Sequence, residues 1–172
     1  MSVERPGAVT FKGQPLTLVG PELKPGDKAP DFTIIDQSLQ PASLKDYAGK
    51  VVLLSVVPSL DTSICSAQTK RFNEEAANLP EDVVILTVSM DLPFAQARFC
   101  GVENIDRVKV LSDHRDGSFA QAYGTLVKEL RLESRAIFVI DRDGVIRYVE
   151  YVPEIASHPN YDAALQAVRS LL

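Results

Sequence analysis

With 172 residues, 45% of them hydrophobic and 24% charged, the chain suits one compact domain over residues 1–172, and a disordered chain or a peptide-sized scaffold is excluded. A net charge of -5 with Lys and Arg scattered along the chain argues against a nucleic-acid or anionic-membrane surface. Residues 1–7 hold no apolar leader core, no run approaches the roughly 18 apolar residues of a spanning helix, and two cysteines do not make a stapled secreted fold. A soluble cytoplasmic protein is expected, in which any disulfide is transient and catalytic.

Ala8-Val9-Thr10-Phe11-Lys12 and Leu16-Thr17-Leu18-Val19 are short β-prone runs on either side of Gly13-Gln14-Pro15, which predicts an N-terminal hairpin over about residues 8–20. Pro21, Pro25-Gly26 and Pro30 punctuate the exit, and Asp31-Phe32-Thr33-Ile34-Ile35-Asp36 reads as a further strand. Val51-Val52-Leu53-Leu54-Ser55-Val56-Val57 is a continuous apolar run of strand length, the pattern of a strand buried on both faces. Pro58 ends it, since proline cannot donate to a ladder and keeps its predecessor extended. Asp61, Thr62 and Ser63 each suit a helix N-cap, and a helix follows to Leu79 with Ile64, Phe72, Ala76 and Leu79 on roughly one face. Val83-Val84-Ile85-Leu86-Thr87-Val88 is a second buried strand, and the order strand, helix, strand requires the two to be parallel.

Asp91-Leu92-Pro93 opens a short helix over Phe94 to Cys100 that Gly101 terminates. Val108-Lys109-Val110-Leu111 is a brief strand, followed by a polar loop over 112–117 and a short helix over 119–123. Apolar runs at 135–140 and 145–151 flank Asp141-Arg142-Asp143-Gly144, a strong hairpin signal. Ala164, Leu165 and Val168 have the spacing of a closing amphipathic helix over 161–172. The order predicts an α/β chain with a thioredoxin-like sandwich and an added N-terminal β-hairpin.

Cys65 falls in the first turn of its helix. Unpaired N–H groups and the positive end of the macrodipole there favour a thiolate over a thiol. Free cysteine is also among the most buried residue types, so the position equally suits a small apolar residue packing helix on sheet. The surrounding pattern tips the balance: Pro58, Thr62 and Cys65 form P-x-x-x-T-x-x-C. Thr62 can bring its hydroxyl toward a thiolate and a peroxide oxygen, and Pro58 can cover the sulfur.

That pattern resembles the peroxidatic motif of peroxiredoxins. With Cys100 at the end of Asp91-Leu92-Pro93-Phe94-Ala95-Gln96-Ala97-Arg98-Phe99-Cys100, the chain is similar over nearly its whole length to the bacterial thiol peroxidases, atypical two-cysteine peroxiredoxins. Val9-Thr10-Phe11-Lys12-Gly13, Ser112-Asp113-His114-Arg115-Asp116 and Lys128-Glu129-Leu130-Arg131-Leu132 carry the same resemblance, while Gln14, Ile64, Ala120 and Ser134 depart from it. The resemblance implies a cycle in which Cys65 attacks hydrogen peroxide or an organic hydroperoxide and becomes a sulfenic acid. Cys100 then resolves it to an intramolecular disulfide, which thioredoxin reduces. It also implies that Arg135 holds the thiolate and polarises the peroxide, although the sequence alone favours a surface or salt-bridged arginine at the start of a strand. A homodimer needing no metal or organic cofactor is expected. The reading from another class is a redox-responsive binding protein switched by Cys65 oxidation.

Other motifs are discounted. His114-Arg115-Asp116 has no glycine-rich loop or Asp-Phe-Gly beside it, and Asp141-x-Asp143-Gly144 lacks the remaining calcium-loop ligands. The chain contains no Cys-x-x-Cys, and His114 and His158 form no metal spacing with the two cysteines.

Overall fold

The computed structural model describes residues 3–172. Strands β1 (Glu4–Phe11) and β2 (Gln14–Val19) form the N-terminal hairpin. Its turn is Lys12 and Gly13, with φ of 50° and 83°, one residue earlier than Gly13-Gln14-Pro15 suggested. A two-residue turn of this type I′ kind needs left-handed backbone at both centres, and glycine supplies it at the second without a Cβ clash. The hairpin also starts earlier than residue 8, because β1 runs back to Glu4 through an irregularity between Arg5 and Val9 that accommodates Pro6 and Gly7. Strands β3 (Thr33–Ile35) and β4 (Pro41–Ser43) form a second antiparallel pair, followed by a 3₁₀ turn over Leu44–Tyr47.

The central run becomes β5 (Val51–Val56), buried at every position. Helix α1 (Ser63–Ala76) carries the chain over to β6 (Val83–Ser89), which pairs with β5 in parallel as the crossover required. Helix α2 (Pro93–Glu103) leads to β7 (Lys109–Ser112), also parallel to β6. After α3 (Ser118–Tyr123), the two-residue strands β8 (Leu126–Val127) and β9 (Leu132–Glu133) extend the N-terminal hairpin into a sheet of order β1-β2-β8-β9. Strands β10 (Ala136–Ile140) and β11 (Ile146–Tyr151) and helix α4 (Tyr161–Arg169) complete the chain. The main sheet has the order β11-β10-β5-β6-β7-β3-β4. Its β5–α1–β6 crossover and β10–β11 hairpin make the thioredoxin-like core that the element order predicts.

Alternation along β5 sends its residues into two cores. Val51, Leu53 and Val57 pack with Phe72 of α1 and Ala164, Leu165 and Val168 of α4. Val52, Leu54 and Val56 pack on the opposite side with Phe119, Tyr123 and Phe138. Asp141 builds the β10–β11 turn by accepting the N–H groups of Asp143 and Val145 at 2.9 and 3.0 Å. Asn160 caps α4 by accepting the Ala163 N–H at 3.0 Å, and the helix stops at Arg169, short of Leu172.

Two helix ends differ from expectation. Helix α1 stops at Ala76, before Leu79, and its buried residues are Cys65, Gln68, Thr69 and Phe72. Helix α2 passes through Gly101 and ends where Asn104 adopts φ 56°, ψ 44° and donates its N–H to the Cys100 carbonyl. A glycine inside a helix costs only about 1 kcal/mol, whereas a left-handed residue stops it outright.

Candidate active site

Pro58 is buried at the end of β5. The chain then turns, with the Thr62 N–H donating to the Ser59 carbonyl at 3.1 Å, and α1 begins. Thr62 occupies the N-cap position with extended backbone. Its hydroxyl, however, donates to the Ser59 carbonyl at 2.9 Å instead of capping the helix or reaching Cys65. Cys65, third in the helix, is 0% exposed.

Arg135 immediately precedes β10 and is 2% exposed, which removes the reading of a surface arginine. Its Nη2 donates to Cys65 Sγ at 3.4 Å, its Nη1 to Gln68 Oε1 at 2.9 Å and its Nε to the Ile155 carbonyl at 2.9 Å. The other two acceptors are an amide oxygen and a backbone carbonyl, so none of its three hydrogen bonds goes to a carboxylate and one donor is oriented at the sulfur. Gln68, which the sequence reading passed over, fixes this arrangement. Its Nε2 donates to Ser55 Oγ at 2.8 Å, so its oxygen must face the guanidinium. One signal could have found it: Cys65, Gln68, Thr69 and Phe72 lie at i, i+3, i+4 and i+7, a buried helical stripe whose centre is polar.

A cavity of about 280 Å³ opens beside this cluster, with Pro58, Thr62 and Arg135 among its walls and Phe11, Ile64, Val127, Leu130, Leu132 and Ile155 making it apolar. The small sheet therefore has a place in the site: Phe11 comes from β1, Val127 from β8 and Leu132 from β9. Glu154 ties the hairpin tip to this wall. Its Oε2 accepts the Ala156 N–H at 2.7 Å, and its Oε1 accepts the Gly13 N–H at 2.9 Å and the Thr10 hydroxyl at 3.0 Å. These bonds, that to Ala156 foremost, lower its carboxyl to about 2. Glu133 also borders the cavity and is fully buried. Burial, and then Asp113, push its carboxyl well above the ordinary range, while Thr125 donates to it at 2.6 Å. Asp113 in turn accepts the Phe119 and Ala120 N–H groups at 3.1 and 2.9 Å.

Cys100 lies in the body of α2 and packs at the edge of the same core that buries Cys65. Its sulfur accepts from Gln37 Nε2 at 3.4 Å. Burial raises its thiol, and the Gln37 bond partly offsets this. Both cysteines are free. Thus Pro58, Thr62 and Arg135 line one cavity, Cys65 is buried against Arg135, and Cys100 lies on another helix. His158 is exposed, with Nδ1 2.7 Å from the Tyr161 hydroxyl. Among the described residues no group of three or more His, Cys, Asp or Glu is arranged to hold a metal ion, and no helix is long and apolar enough to cross a membrane.

The sequence matches the redoxin family over residues 24–165. It is 56% identical over 164 residues to a thiol peroxidase of Bacillus subtilis, covering 95% of this chain and 98% of that protein. A thiol peroxidase of Oceanobacillus iheyensis is 58% identical over 157 residues, covering 91% of this chain and 95% of the relative. The crystal structure of a peroxiredoxin-like protein from Aquifex aeolicus superposes with a TM-score of 0.91 at 44% identity, covering 96% of this chain and 98% of that one.

Proposed function

This chain belongs to the redoxin family and is a thiol-dependent peroxidase of thioredoxin-like fold, and on that premise we propose that Cys65 is its peroxidatic and Cys100 its resolving cysteine, acting within one domain. The observation that carries the assignment is the buried Arg135 Nη2 to Cys65 Sγ contact at 3.4 Å beside an open apolar cavity. The Cys65 thiolate attacks the terminal peroxide oxygen. An S–O bond forms, the O–O bond breaks, and the departing oxygen takes a proton and leaves as water or an alcohol. Arg135 stabilises the sulfur and the charge developing on the oxygens. Because its own proton is committed to Ser59, Thr62 serves as the acceptor of the hydroperoxide O–H. Pro58 shields the sulfur from bulk water.

In the second step the Cys100 thiol displaces the sulfenic oxygen. The S–O bond breaks, an S–S bond forms, and water leaves with the thiol proton. A thioredoxin dithiol then reduces the disulfide. The apolar walls support organic hydroperoxides alongside hydrogen peroxide, and the family resemblance supports a cytoplasmic homodimer. The test is peroxide consumption with thioredoxin, thioredoxin reductase and NADPH. Wild type should turn over many times, Cys65→Ser should consume nothing, and Cys100→Ser should consume one equivalent and stop. A Cys100→Ser variant cycling at the wild-type rate overturns the two-cysteine assignment, and one equivalent from wild type would favour a sensor.

A further inference from the structure

Asp91 lies between β6 and α2, in neither cysteine's immediate surroundings, yet its carboxylate bonds the turn before α1 directly and reaches α2 through Ser89. Oδ1 accepts the Ser59 hydroxyl at 2.8 Å, and Oδ2 accepts the Leu60 N–H at 2.8 Å and the Ser89 hydroxyl at 2.7 Å. Ser59 and Leu60 form the turn that delivers Cys65 into α1, and Ser59 also orders that turn by accepting the Thr62 N–H and hydroxyl on its carbonyl. On the other side, Ser89 accepts from Gln96 Nε2 of α2 at 3.1 Å, and the same amide nitrogen donates to the Leu111 carbonyl at 2.9 Å. The Asp91 carbonyl accepts the Ser112 hydroxyl at the end of β7. One part-buried carboxylate therefore joins the Cys65 turn to the foot of the helix that carries Cys100. A second tie between these segments, Arg98 to Asp61 at 3.6 Å, is 69% exposed on both sides and holds little by itself.

The proposed cycle asks two different things of these segments. Peroxide attack needs the Cys65 turn seated against Arg135. Disulfide formation needs Cα atoms about 4.4–6.8 Å apart, with the first turn of α1 and the Cys100 segment released toward each other. The bonds from Ser59 and Leu60 to Asp91 stabilise the first arrangement and oppose the second. We propose that Asp91 is a positioning residue that holds the Cys65 turn and α2 in the peroxide-reactive arrangement, so that its grip sets how quickly the sulfenic acid is resolved. This rests on the two-cysteine reading above.

The prediction separates Asp91 from a residue that merely supports the fold, because the two steps should move in opposite directions. Asp91→Asn keeps the shape but gives up the negative charge and places an N–H₂ group where one acceptor was. Rapid chemical quench of the reduced full-length protein with one equivalent of cumene hydroperoxide, alkylation of remaining thiols and intact mass would resolve thiol, sulfenic acid and disulfide in time. For Asp91→Asn, Cys65 oxidation should slow about fivefold and disulfide formation should accelerate about tenfold, the scale of losing a hydrogen bond to a charged group. Under excess peroxide, less Cys65 should reach sulfinic acid, since faster closure leaves less sulfenic acid for a second peroxide. Ser59→Ala removes one of the three bonds and should move both rates the same way by about twofold to threefold; it decides the matter alone if Asp91→Asn does not fold. Unchanged disulfide formation, or both steps slowed alike, overturns the role of Asp91. A wild-type protein that forms no Cys65–Cys100 disulfide overturns the two-cysteine reading and the role of Asp91 with it.

Discussion

Cys65 is enclosed at the end of a bonded series that runs from Ser55 through Gln68 to Arg135, all of it buried and anchored on β5 and α1. Cys100 is only half-buried, on a helix whose Phe94 and Val102 are 69% and 71% exposed, with Gln37 as its hydrogen-bond partner. Under the proposed assignment of the two cysteines, the difference separates two demands. A nucleophile works best where donors are already oriented and need no rearrangement when charge moves. A resolving thiol works best on an element that can leave its place at little cost, and segments with few buried contacts are those that open locally.

The steepest prediction strikes the rigid side. Arg135→Ala should slow Cys65 oxidation by on the order of 10²-fold or more. Gln68→Ala should slow it by about tenfold, because Arg135 stays but loses the amide that aims it. Stopped-flow single-turnover rates check both, and disulfide formation from preformed sulfenic acid should change far less. Rates within a factor of two of wild type would make this side no more preorganised than the other.

These residues also mark where the sequence is legible. Strands β5 and β6, their parallel pairing and the β10–β11 hairpin could be read directly, since long apolar runs and Asp-x-Asp-Gly leave few alternatives. The motif and the resemblance point to Pro58, Thr62, Cys65 and Arg135; three of them, Pro58, Thr62 and Arg135, line one cavity, and Cys65 hydrogen-bonds Arg135. Strands β8 and β9 could not be read, because two residues carry no periodicity. Gln68 was passed over because a helical glutamine ordinarily faces water. Glu133 was passed over because nothing in Leu132-Glu133-Ser134 shows that Asp113 and Thr125 await it from other elements.

A smaller effect concerns what burying polar groups costs on the rigid side. The unfolded chain releases the Glu133 proton near its ordinary value of 4.5, and the folded chain holds it well above that. Its stabilising contribution is therefore full below about pH 4.5 and is lost as pH rises toward the folded-state value. Glu133→Gln supplies a permanent donor toward Asp113 and still accepts from Thr125. Its Tm should exceed that of wild type at pH 8 by about 2–4 °C, the shift that about 1 kcal/mol produces in a chain of this size, and the gap should close by pH 4. A constant gap across that range would mean that Glu133 does not retain its proton.

The two-cysteine cycle requires the loose side, together with the first turn of α1, to open while the sheet beneath stays intact. Hydrogen exchange of the reduced protein and of the peroxide-oxidised protein, with the Cys65–Cys100 disulfide verified by mass, measures this segment by segment. Residues 63–67 and 94–101 should lose protection on oxidation, while β5 and β6 keep theirs. Unchanged protection in both segments of the disulfide form would contradict it, since the cysteines would then already sit within bonding reach in the packed state.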